Sequence, residues 1–99
     1  MPLDLSTLRL HYRDAIFNLA ASHHIDNIRV FGSVARGEAR TDSDLDLLVH
    51  PQPGCSLLQV CAMENSLSDM LGGMKVDVLT DGGIRDELAP FIFREAVPL

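Results

Sequence analysis

The chain of 99 residues has no tryptophan, one tyrosine and four phenylalanines, so its interior must be packed with leucine, valine and isoleucine rather than aromatic rings. It has no apolar stretch near eighteen residues and no charged-then-apolar leader. Neither a membrane span nor a signal peptide is expected, and a cytoplasmic location is the default. It has only two cysteines, Cys55 and Cys61, and their separation of six fits neither a Cys-x-x-Cys site nor a disulfide framework. Both are expected to be reduced, with Cys61 in the core. It has no run of lysine or arginine: eight basic residues stand against fourteen acidic ones, a net charge of −6, which argues against direct binding to nucleic acid.

What the chain does have is 46% apolar residues without repeats, linkers or low-complexity segments, as a single domain over 1–99 requires. Leu5, Leu8, Tyr12, Ala15, Ile16 and Leu19 recur at steps of three and four behind a candidate Asp4 cap, which predicts a helix over 4–23. Asn27 to Phe31 reads as a strand running into a turn at Gly32. Leu45, Leu47 and Val49 alternate with Asp44, Asp46 and Leu48 in a second strand, closed by Pro51, Pro53 and Gly54. Ser56 and Gln59 form a capping-box pair, and Leu57, Val60, Cys61, Leu67 and Leu71 continue on one helical face until Gly72 and Gly73. Met74 to Leu79 predicts a third strand, and Pro90 opens a last helix through Phe93 and Ala96. This order predicts an α/β (α+β) fold, a small mixed β-sheet with helices packed on one face.

Residues two apart in a strand share a face about 6.5 to 7 Å apart, so Asp44 and Asp46 point together, away from Leu45, Leu47 and Val49. If the helices cover the leucines, the aspartates stand over a cleft. Asp77, between Val76 and Val78 of the third strand, can join them. Carboxylates this close repel one another unless a cation lies among them, and a hard dication such as Mg²⁺ takes oxygen ligands while sharing its coordination with a substrate's phosphates. Gly32 and Ser33 supply the complementary half. A glycine turn lets a phosphate approach backbone N–H groups and a hydroxyl closely. Metal-binding carboxylates beside phosphate-binding amides point to a nucleotide triphosphate site.

The stretch GSVARGEARTDSDLDLLV, residues 32 to 49, with VDV at 76 to 78 and the closing REAVPL, resembles the polymerase-β-type nucleotidyltransferase superfamily, in its minimal nucleotidyltransferase (MNT) branch. The resemblance spans nearly the whole chain. It implies that Asp44 and Asp46 bind two Mg²⁺ ions bridging the triphosphate of ATP, and that Asp77 completes the metal site and helps deprotonate the attacking hydroxyl. It further implies that Gly32 and Ser33 hold the β- and γ-phosphates. Many such domains are antitoxins paired with a HEPN-type RNase toxin, which members of the group adenylylate on a tyrosine. A hetero-oligomer with that toxin is the partner it implies.

Plainer roles stand beside these. Asp44 suits a turn cap and Asp46 an exposed edge position, while Arg36 and Arg40 suit phosphate contacts, an acidic partner-binding rim or a solvated loop, and Asp42 a turn. His50 shares the aspartate side but lies about 13 Å along the strand from Asp46, too far for a shared metal. His23 and His24 suit the negative end of the first helix. Met63, Met70 and Met74 read as gap-filling core or interface, and Glu64 and Asp69 as an exposed helix face. Two functions of different class remain: a transferase acting on a protein hydroxyl, and a binding module that neutralises its partner by covering it. A small-molecule transferase is disfavoured, since its extra substrate-binding region needs length this chain lacks.

Overall fold

Asp4 precedes the first apolar repeat, and in the computed structural model, which describes residues 2–99, its carboxylate accepts the Thr7 N–H at 2.7 Å. The bond favours the ionised form and lowers the Asp4 pKa. It caps a helix of three consecutive stretches: α1 (Leu5–Thr7), a wider π turn over Leu8–Tyr12, and α2 (Arg13–Ser22). The π turn shifts the phase of the residues after it, and Leu8, Ile16 and Ala20 all become buried.

The strand β1 (Ile25–Phe31) begins two residues before the expected start, because the ladder slips between Asp26 and Arg29, where Asn27 takes a positive φ of 51°. It leads directly into the short helix α3 (Gly32–Arg36), and β2 (Leu45–Pro51) returns antiparallel to it. The capping box forms as expected: Ser56 accepts the Gln59 N–H and Gln59 accepts that of Ser56, opening α4 (Leu57–Met70). That helix crosses over to β3 (Val76–Thr80), which pairs parallel with β2. Lys75 contributes its carbonyl to the Leu45 N–H at 3.0 Å, while Met74 stays outside the strand. Helix α5 (Ala89–Glu95) has proline in its first turn, and after it the chain adds a strand the sequence does not announce, β4 (Val97–Pro98), antiparallel to β1.

The sheet order is β3-β2-β1-β4. On one face, Leu8 and Ile16 of the first helix and Val60, Met63 and Leu67 of α4 bury Val30, Leu45, Leu47, Val49 and Val76. On the other face α5 lies beside the sheet, with the Phe93 ring 5.4 Å from the Arg29 guanidinium.

Two expectations for α4 fail. Cys61 and Leu57 are exposed, because the stripe that meets the sheet runs through positions 60, 63 and 67 and leaves both on the solvent side. Glu64 is half-buried, and its Oε2 accepts the Val78 N–H at 2.8 Å on the open side of β3. Asp69 is exposed, as expected, and so is Met70.

Candidate active site

Strand register sets the carboxylates at neighbouring positions of one face. Phe31 pairs with Asp46, and Asp46 pairs with Asp77, so the end of β1, the middle of the site and the edge strand lie side by side. Neighbouring strands are about 4.8 Å apart, and side chains at paired positions point the same way. Asp44 stands two residues before Asp46 on the same side and just ahead of β2, half-buried, with the Lys75 ammonium 3.6 Å from its Oδ2.

The electrostatics stem from that placement. The Asp46 pKa is pushed up to about 6, first by burial, then by the charges of Asp77, Asp44 and Glu95, with Arg36 opposing. A carboxylate perturbed by burial and by neighbouring charges of its own sign is a candidate functional group. Among the described residues no three Asp, Glu, His or Cys side chains are drawn together at metal-ligand spacing. The donor set is nonetheless all carboxylate oxygen on adjoining strands, the chemistry that a hard dication takes. Asp44, Asp46 and Asp77 would supply those oxygens.

Gly32 is required by geometry. Its φ is +76°, a conformation that side chains rarely adopt, and the Asp46 carboxylate fills the space where a Cβ would stand, with the carboxyl carbon 3.0 Å from that point. The turn therefore lies directly against the acid cluster. Ser33 and the exposed Arg36 come next on the same turn. Arg36 donates to Glu38 at 3.1 Å and to Glu95 at 2.7 Å, contacts that raise its pKa, the Glu38 bond most.

Glu95 is the residue sequence reasoning missed. Its carboxylate accepts both the Arg36 guanidinium and the Gly32 backbone N–H. Nothing near it in sequence signals this, because its partner Gly32 is 63 residues away. His50, as expected, stands apart from the site: its Nδ1 lies 2.8 Å from the Asp81 carboxylate. Arg40 is exposed and lines a cavity of ≈ 700 Å³ that reaches Asp44, Tyr12, Thr41, Met74 and Lys75 but neither Asp46 nor Asp77.

With a mixed sheet, an aspartate pair in register across β2 and β3, and a glycine turn against it, the chain belongs to the polymerase-β nucleotidyltransferase family, whose description, Polymerase beta, Nucleotidyltransferase, matches residues 14–97. It is a nucleotidyltransferase of the minimal kind. A solved structure assigned as a minimal nucleotidyltransferase superposes with a TM-score of 0.83 at 46% identity, covering 98% of this chain and 97% of the other. The protein adenylyltransferase MntA of Thermococcus cleftensis is 38% identical over 73 residues, 74% of this chain and 73% of its own length. A toxin–antitoxin crystal structure with AMP-PNP shares the fold, with a TM-score of 0.75 at 18% identity, over 88% of this chain and 71% of that one.

Proposed function

We propose that this chain transfers AMP from ATP to a tyrosine hydroxyl of a partner protein, a HEPN-type RNase toxin, and acts as its antitoxin. The observation that carries the reading is the register pair Asp46–Asp77, with Asp44 beside it and the Gly32 turn packed against Asp46. The naming of the Thermococcus cleftensis relative as a protein adenylyltransferase supports the choice of reaction. The AMP-PNP held in the toxin–antitoxin structure of the same fold supports the nucleotide and the kind of partner.

In this reading Asp44, Asp46 and Asp77 would hold two Mg²⁺ ions, which would supply charge stabilisation to an in-line displacement. The turn that Gly32 opens, the Ser33 hydroxyl and Arg36 hold the β- and γ-phosphates. The cavity beside Asp44 is large enough for the nucleoside, within the range of small-molecule sites. Asp77 accepts the tyrosine proton as the tyrosine oxygen bonds to the α-phosphorus, the bond from that phosphorus to the bridging oxygen breaks, and pyrophosphate leaves. Positioning of an acceptor supplies about 7 to 11 kcal/mol in such reactions, and the partner brings its own tyrosine to the open face.

The test is incubation with labelled ATP, Mg²⁺ and a cognate HEPN-type protein, read by intact mass of that protein. The expected result is addition of one or more adenosine monophosphate groups to a tyrosine, lost in Asp44→Ala and Asp46→Ala. Neutralisation of the toxin without added mass, equally by wild type and aspartate variants, would replace this reading with that of a binding module that acts by covering its partner.

A further inference from the structure

Glu95 ends α5, and its place beside Gly32 is dictated by pairing rather than by local sequence. Val97 of β4 pairs antiparallel with Val30 of β1. Two residues back from Val97 is Glu95, and two residues on from Val30 is Gly32, so the same register that closes the sheet carries the carboxylate to the turn. There it accepts the Gly32 N–H and the Arg36 guanidinium at once, the latter at 2.7 Å, with its own side chain 29% exposed.

Both donors belong to the turn that the proposed reaction requires. Gly32 has no side chain to restrict it and sits at a φ of +76°, with the Asp46 carboxylate on one side of it. The bond from its N–H ties the turn to the end of α5. Glu95 provides that tie through a charge-assisted hydrogen bond, which is stronger than a neutral one. Arg36 is about half exposed, and its pair with Glu38 alone would constrain it weakly. Sharing Glu95 with a backbone amide fixes the arginine relative to the turn. Because β4 pairing holds the backbone of the adjoining residues, the carboxylate is a fixture of the sheet rather than a loose arm.

We infer that Glu95 is a positioning residue that fixes the Gly32–Arg36 turn in its phosphate-binding shape from the far end of the chain. The inference rests on the transferase reading for the identity of the ligand. Glu95→Ala removes the acceptor, whereas Glu95→Gln keeps an oxygen for the Gly32 N–H and loses only the charge.

The test combines residue-resolved amide exchange by NMR with calorimetric titration of Mg-ATP. In Glu95→Ala the Gly32 amide should exchange at least about tenfold faster while the Val30 and Leu47 amides keep their wild-type protection, and Mg-ATP affinity should fall about tenfold, the effect of losing one hydrogen bond to a charged group. Glu95→Gln should restore Gly32 protection and bring affinity within about threefold of wild type. If Glu95→Ala binds Mg-ATP as tightly as wild type or more tightly, the carboxylate merely competes with phosphate and the inference fails. Loss of protection at Gly32, Val30 and Leu47 together would overturn it as well, by making Glu95 a brace of the whole sheet. A wild-type protein that does not bind Mg-ATP counts against the transferase reading instead, and the exchange pattern still decides whether Glu95 positions the turn.

Discussion

The two faces of β2, extended by the residue just ahead of it, are made from alternate positions of one segment, yet they do opposite things. Leu45, Leu47 and Val49 are wholly buried against the helices and gain free energy from every contact. Asp44 and Asp46 face away from them toward Asp77 and Glu95, in surroundings that raise the Asp46 pKa to about 6. Between the two aspartates' side and His50, Leu48 is also fully buried, so even the polar face rests on an apolar floor. One face stabilises the strand, and the other spends some of that stability to keep carboxylates near one another. The lesson is that the leucines make the aspartates possible.

The sharpest way to break the comparison is on the acid side. Asp46→Asn should lower AMP transfer by several kcal/mol of transition-state free energy, roughly a thousandfold, while the metal-free fold stays intact. Intact mass of the partner and thermal melting read the two effects separately, and a large loss of metal-free stability would mark Asp46 as structural. On the other face, Leu47→Ala should cost about 3 kcal/mol of stability through the cavity it leaves, measured by urea denaturation.

How much of this the sequence discloses depends on distance along the chain. Gly32, Ser33, Asp44 and Asp46 lie within fifteen residues, and strand alternation alone puts the aspartates on one side. Asp77 is legible because Val76 and Val78 flank it. Glu95 is not, since it reaches the turn only through a two-residue strand that no periodicity can announce. Glu64 reads as surface because its partner is a backbone amide on another element, and Cys61 reads as core because the apolar stripe of α4 is wider in sequence than the stripe that touches the sheet.

Smaller changes sharpen the boundary between the faces. Gly32→Ala should destabilise by about 1 to 2 kcal/mol, combining a disfavoured backbone with a methyl driven into the Asp46 carboxylate, and should reduce Mg-ATP binding with it. The raised Asp46 pKa gives a stability contribution that is present below about pH 4 and is lost as pH rises through about 6, since the folded state holds that proton longer than the unfolded one. Asp46→Asn should therefore melt above wild type at pH 7.5, by about 1 kcal/mol once solvent screening is allowed for, and the gap should close toward pH 4. Cys61→Ser, on the exposed side of α4, should change stability by less than about 0.5 kcal/mol.

The bond from Val78 to Glu64 bears on the open edge of the sheet. β3 ends the sheet on one side, and a bare strand edge offers its amides to any extended segment of another molecule. Glu64 occupies the Val78 amide and lays a negative charge along that border. A second strand approaching there would have to displace a satisfied carboxylate before pairing with Val78. Glu64→Ala removes that guard, and in concentrated samples its first symptom would be self-association through β3, visible by light scattering while the monomer fold is still intact.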